Sequence, residues 1–260
     1  MAHRGASAYA PENTLEAYDL ALALGATGIE LDVHETKDGV LVVVHDETVS
    51  RTLRGCDSIS QHIAELTWAE LSELDAGSWF NETRPEQARA EYSAARVLRL
   101  DDVFRRYGNE ISYFIELKHR PGTRCMEREL IRLIRWHGLD RGESPAVVVG
   151  TFSRECLQKI HRLEPAVPLV QLYRSGTSSD AIRSSFEEVP SYCEGVGPCK
   201  DSVQEPLVEA ADRRGLEIYT WTVNDRDEMT PLVELGVKAI VTDFPDRLDD
   251  VLAKTLRGAA

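Results

Sequence analysis

Gly28-Ile-Glu-Leu-Asp-Val-His34 alternates apolar and polar side chains with period two, the repeat of a β-strand whose successive side chains point to opposite faces. Ile29, Leu31 and Val33 make a face that needs an apolar cover, while Glu30, Asp32 and His34 share the other. From residue 111 onward the chain alternates short β-branched runs with longer helix-like stretches, the rhythm that builds a parallel sheet from βαβ units. The runs fall at residues 112–118, 146–151, 168–173, 194–197, 216–223 and 237–242. Adding 2–5 and 28–34 brings the count to that of a (β/α)8 TIM barrel, and the 260-residue length suits one such domain spanning 1–260. In that setting Ile29, Leu31 and Val33 face the barrel's helices and the acidic residues face its interior.

Helices are expected over 13–24, 125–137, 153–163, 204–214 and 225–235, with polar N-caps at Asn13, Ser153 and Asp225. The stretch 47–95 breaks the rhythm, being polar, carrying Asn81-Glu82-Thr83-Arg84-Pro85, and showing one clear helical segment at 68–74. It reads as an insertion after the second strand, placed over the carboxyl end of the barrel where it could cover a substrate.

Composition narrows the function. A formal net charge of -14 with no basic cluster argues against nucleic acid and against anionic membrane surfaces. No apolar run approaches the roughly 20 residues of a membrane span, the longest being Val40 to Val44. The first twenty residues hold His3, Arg4, Glu12, Glu16 and Asp19 rather than a secretory apolar core, so a cytoplasmic protein is expected. Cys56, Cys125, Cys156, Cys193 and Cys199 are scattered and never spaced as CxxC, which argues for reduced thiols over disulfides or a thiolate zinc site.

The chemistry gathers near the front. Two carboxylates facing a barrel interior are costly unless paired or holding a cation, and a third recurs in Tyr113-Phe-Ile-Glu-Leu-Lys118. Glu30, Asp32 and Glu116 therefore form a candidate hard-oxygen site for one divalent cation, Mg2+ or Ca2+, with an Arg or Lys ion pair as the alternative. Lys118 shares the face of Glu116 and Arg4 follows the first strand; each suits phosphate, the alternative being carboxylate neutralisation for Lys118 and a surface arginine for Arg4. His3 ends the first strand and His45 follows Val40-Leu-Val-Val-Val44, two imidazoles in the range needed for acid and base work. His34, on the face of Glu30 and Asp32, is a further candidate ligand, whereas His62, His119, His137 and His161 read as structural.

These residues resemble the glycerophosphodiester phosphodiesterases. The matching stretches are His3-Arg4-Gly5 with Pro11-Glu12-Asn13-Thr14, then Glu30-Leu-Asp-Val-His-Glu-Thr-Lys-Asp-Gly39 and Val44-His45-Asp46. Leu74-Asp-Ala-Gly-Ser78, Glu116-Leu-Lys118, Thr151-Phe-Ser153, Trp221-Thr-Val223 and Gly236-Val-Lys-Ala-Ile-Val-Thr-Asp243 complete an ordered set over nearly the whole chain. The resemblance implies a (β/α)8 barrel in which Glu30, Asp32 and Glu116 hold the cation and His3 and His45 act as acid and base. It further implies that Arg4 and Lys118 contact phosphate and that Trp221 lines the pocket, a packed core ring being the plain alternative for Trp221. The implied reaction is attack of the neighbouring glycerol hydroxyl on phosphorus, expelling the alcohol, then opening of the cyclic phosphate by water to glycerol 3-phosphate. Two departures stand out: only Met1 and Ala2 precede His3, and the segment before the 112–118 strand reads Val97-Leu-Arg-Leu-Asp101, without the family's usual proline.

Two other readings compete. A phospholipase D-like activity on lysophospholipids needs an exposed apolar ramp at the barrel mouth, for which 47–95 offers chiefly Trp79 and Phe80. A non-catalytic phosphate-ester-binding barrel would need no acid and base pair. Gly5-Ala-Ser-Ala-Tyr9 misses the nucleophile-elbow pattern, His34-Glu-Thr-Lys-Asp38 lacks the second histidine of a zincin helix, and neither a P-loop nor a GxGxxG fingerprint occurs.

Overall fold

Each strand expected from the apolar alternation forms. The computed structural model describes residues 1–56, 61–120, 125–140 and 146–258. Its strands are β1 (Ala2–His3), β2 (Gly28–Glu35), β3 (Leu41–Val43), β4 (Leu98–Arg99), β5 (Ser112–Leu117), β6 (Val147–Thr151), β7 (Leu169–Leu172), β8 (Gly195–Gly197), β9 (Glu217–Thr220) and β10 (Ala239–Ile240). Parallel pairing runs β1-β2-β5-β6-β7-β8-β9-β10. A parallel bridge from Ala2 to Thr242 then joins the last strand to the first, with the His3 N–H donating to the Thr242 carbonyl at 2.8 Å. The ring is closed, and the fold is a (β/α)8 TIM barrel.

Of the two short strands outside the ring, β3 belongs to the apolar run at 40–44 and β4 to the segment before β5. Carbonyls of Glu30 and Asp32 face the same edge of β2; the first accepts from the Arg4 N–H and the second from the Val44 N–H, both at 3.0 Å. The two-residue β1 therefore leaves the outer half of that edge to β3, which pairs antiparallel with β2 and carries β4 on its far side. This side ribbon is what brings His45 to the barrel mouth.

Ile29, Leu31, Val33, Tyr113, Ile115 and Leu117 point outward into the layer between strands and helices, where each is essentially fully buried. Truncating one of them to alanine would cost about 2–5 kcal/mol by lost burial plus cavity. The barrel interior is filled by a smaller cluster of Phe114, Val170, Leu172 and Tyr219, with Phe152 and Trp221 above it.

Ser153 and Asp225 cap the helices Arg154–Leu163 and Arg226–Glu234 as expected. Asn13 does not: the first helix is Leu15–Ala23, and the Thr14 side chain accepts from the Ala17 N–H. Between β3 and β4 the chain forms two short helices where one was expected, Trp68–Ser72 and Ser78–Thr83, with 3-10 turns around them. Trp79 and Phe80 are buried against Ala10, Ala17 and Tyr92, and Arg84 donates to the Ser7 and Ala8 carbonyls, so the segment clasps the loop after β1. Among the described residues no helix is long and apolar enough to cross a membrane.

Candidate active site

Register assembles the polar face. His3 lies beside Glu30 in the β1–β2 pairing and Asp32 beside Glu116 in the β2–β5 pairing, so three adjacent strands present these groups at their carboxyl ends. Glu30 and Asp32 are buried, Glu116 is half-buried, and one oxygen from each lies within 4.8 Å of the others. Lys118, just past β5, holds its Nζ 2.8 Å from Asp32 Oδ1 and against Glu116 Oε1.

A left-handed turn after β1 supplies the second cation. Arg4 sits at φ 56° and Gly5 at φ 85°, where a Cβ would press on the Ala17 backbone at 2.7 Å, so only glycine fits. The turn aims the Arg4 N–H at Glu30 Oε2 (2.9 Å) while Nε lies 3.1 Å from Asp32 Oδ2 and Nη1 donates to Glu12 Oε1 at 3.0 Å. Asn13, at φ 58°, donates from Nδ2 to Asp32 Oδ2 at 3.0 Å and accepts from the Tyr18 hydroxyl at 2.9 Å. Arg4 and Asn13 are the non-glycine residues with positive φ among the described residues, and both serve Asp32. That conformation costs on the order of 1 kcal/mol, which the bonds to Asp32 offset.

Charge at the site is unbalanced. Burial disfavours an ionised Asp32, but Lys118 and Arg4 prevail and hold its carboxyl well below the ordinary range. Glu30 is left with the deficit: burial, then repulsion from Asp32, push its carboxyl well above the ordinary range in spite of Arg4. Ion pairing to Arg and Lys thus accounts for Asp32 and leaves Glu30 uncompensated. Three converging carboxylate oxygens, two of them from buried residues and the set short of positive charge, fit a hard divalent cation.

Two histidines flank this group, each held through Nδ1 by an aspartate. His3 Nδ1 lies 2.6 Å from Asp243 Oδ1, and His45 Nδ1 lies 2.6 Å from Asp46 Oδ1. Asp243 also accepts from Ser7 at 2.8 Å and Asn224 at 2.6 Å, while Asp46 accepts from Arg51, which reaches on to Glu12. With Nδ1 donating to carboxylate, Nε2 of each ring is the nitrogen left for proton transfer. Both rings line a cavity of about 220 Å3 together with Arg4, Glu30, Glu116 and Lys118. Phe114, Phe152, Leu172, Tyr219 and Trp221 form its apolar wall. Trp221 is both a cavity wall and a packed ring: its Nε1 donates to the Gly197 carbonyl at 3.0 Å, and its ring meets Phe152 edge to face.

His34 does not join the carboxylates. Its Nε2–H donates to the His45 carbonyl at 3.1 Å, and burial lowers its pKa to about 4. Period two places it on the expected face, but at the register of β3, beyond the barrel rim, where it braces the loop that carries His45.

Residues 3–247 match the glycerophosphoryl diester phosphodiesterase family. The chain belongs to that family. It is 37% identical over 248 residues to a glycerophosphodiester phosphodiesterase of Bacillus subtilis, covering 95% of this chain and 83% of the relative. A glycerophosphodiester phosphodiesterase structure from Agrobacterium tumefaciens superposes with a TM-score of 0.76 at 30% identity, covering 95% of this chain and 96% of the other. A phosphodiesterase from Oleispira antarctica, solved with the product sn-glycerol-3-phosphate, gives 0.81 at 26% identity over 97% and 95%. The protein is accordingly an enzyme of the phosphoric diester hydrolase class.

For a member of this family, the partners of the carboxylates, cations and imidazoles at the site are the part that strand alternation does not reveal. Glu12, Asn13, Asp46 and Asp243 all lie inside the motif stretches of the sequence, next to or far from the groups they hold. Asp46 had a local signal, adjacency to His45; Asp243 had none, since its histidine is 240 positions away.

Proposed function

We propose that the protein hydrolyses glycerophosphodiesters to glycerol 3-phosphate and an alcohol, using one divalent cation, Mg2+ or Ca2+, with His3 and His45 as the acid and base pair. The observation that carries this reading is the convergence of two aspartate-held imidazoles and three carboxylates on one small cavity. The product complex of the Oleispira antarctica phosphodiesterase supports it.

Glu30, Asp32 and Glu116 would hold the cation, which when bound offsets charge on the phosphoryl oxygens and lowers the pKa of the attacking hydroxyl. Arg4 and Lys118 present their charges to phosphate, and Trp221 offers apolar surface to the glycerol carbons. One imidazole takes the proton of the glycerol hydroxyl next to the ester as that oxygen bonds to phosphorus. The other gives a proton to the departing alcohol oxygen, and the two exchange roles when water opens the cyclic phosphate. The segment 47–95 is an insertion that braces this machinery from outside: Arg51 ties Asp46 to Glu12. Five free cysteines support a reducing, cytoplasmic setting.

Among the described residues nothing favours lysolipid as substrate. Trp79 and Phe80 are buried, and the exposed Trp136 ends a helix running from the carboxyl to the amino end of the barrel, away from the mouth. The test is release of glycerol 3-phosphate from glycerophosphoethanolamine and glycerophosphocholine with Mg2+, Ca2+ or EDTA, comparing wild type with His45→Ala and Glu116→Ala. Metal-dependent release lost in both variants is expected; no release by folded wild type with either metal would refute the assignment.

A further inference from the structure

The small cavity is not the whole of the mouth. A wider groove of about 760 Å3 adjoins it, sharing His45, Glu116, Lys118 and Phe152 as a common wall. A diester whose phosphorus sits at that shared wall has one arm for each space. The small cavity suits the constant glycerol arm, and the open groove suits the alcohol that differs between substrates.

The charges along the groove are mostly committed. Lys118 is engaged by Asp32 and Glu116, Arg120 by Glu47 at 3.2 Å, and Asp46 by Arg51. Arg174 is different. It stands two residues past β7 on the groove wall and has no ion-pair partner among the described residues. Its guanidinium carbon lies 5.1 Å from the centroid of Phe152, whose ring in turn packs edge to face on Trp221. Stacking holds the guanidinium beside the shared wall with its N–H donors unclaimed by any carboxylate of the described residues. It also covers the aromatic face that a quaternary ammonium would need, so the groove is ill suited to choline.

We infer that this groove is the subsite for the leaving alcohol and that Arg174 selects alcohols carrying an anionic group, a carboxylate or a second phosphate. The inference rests on the proposed hydrolysis of glycerophosphodiesters. Glu155, exposed on the same groove, suits an ammonium that such an alcohol carries as well.

Serine and ethanolamine isolate the effect, because as leaving alcohols they differ by the carboxylate alone and share the ammonium. The experiment measures kcat/KM for glycerophosphoserine and glycerophosphoethanolamine with wild type and with Arg174→Gln. Wild type is expected to favour the serine ester by about fivefold, the scale of an exposed guanidinium–carboxylate pair. Arg174→Gln should abolish the preference by slowing the serine ester alone. Equal rates in wild type, or a preference that survives in Arg174→Gln, would overturn the subsite while leaving the hydrolase reading intact. Failure to cleave either diester would overturn both.

Discussion

The two histidine–aspartate pairs have the same local chemistry and opposite origins. His45 and Asp46 are chain neighbours on the loop beyond β3, so their 2.6 Å contact needs little tertiary structure. His3 and Asp243 are 240 positions apart and meet only because β10 closes onto β1, with Ser7 and Asn224 joining the same carboxylate. A contact between neighbours closes no loop and persists in part in the unfolded chain, so it adds little to folding; a contact between the chain ends exists only in the native state. Equivalent roles in the proposed hydrolysis are therefore compatible with very different structural ones.

The sharpest trial of that equivalence is to remove each ring. His3→Ala and His45→Ala are each expected to lower kcat/KM for glycerophosphoethanolamine by about 10³-fold, with the double variant far less than multiplicative because the rings act as a unit. A single variant retaining more than about a tenth of wild-type activity would show its pair to be dispensable.

The aspartates should separate what the rings do not. Asp243→Asn and Asp46→Asn are each expected to reduce kcat/KM by roughly 100-fold through loss of the ring's orientation and tautomer. Burial opposes an ionised Asp46 as well, and His45 and Arg51 hold its carboxyl well below the ordinary range, but both partners lie within five residues along the chain, so part of that shift persists unfolded and Asp243→Asn should unfold the earlier of the two in urea. Burial opposes an ionised Asp243, but the bonds from His3, Asn224 and Ser7 hold its carboxyl at about 2, below the ordinary value of 3.8. A carboxyl depressed in the folded state stabilises above its unfolded pKa, and that contribution fades as pH falls from about 4 toward 2. Wild type should thus exceed Asp243→Asn by on the order of 2 kcal/mol at pH 7, the gap closing through that acid window. Equal losses of stability in the two variants would contradict the distinction between local and closing contacts.

Arg51→Ala tests the outermost layer. Its side chain is 41% exposed while bridging Asp46 and Glu12, so the expected loss in kcat/KM is no more than about fivefold. A loss as large as that of Asp46→Asn would mean that the loop is ordered chiefly through Arg51.

Much of this was legible in the chain itself. Period two in 28–34 and 112–118 sorted Glu30, Asp32, Glu116 and Lys118 to one face before any register was known, because side-chain direction in a strand is a local property. The same rule carried His34 too far, since it cannot tell where the barrel rim ends and β3 takes over the edge of β2. Residue type suits Asn13 to a cap; its left-handed conformation sends it to Asp32 instead, with its N–H donating to the Arg4 carbonyl, and both are contacts between segments.

The sequence alone determined the barrel, its count of eight parallel strands and the residue types of the site, since apolar periodicity and turn chemistry act over a few residues. Only the tertiary structure decided that Asp32 lies opposite Glu116, that Asp243 answers His3 across the closing seam, and that Arg174 stands beside a second groove. Those depend on strand register and ring closure, which join residues far apart in the chain and leave no local trace in it.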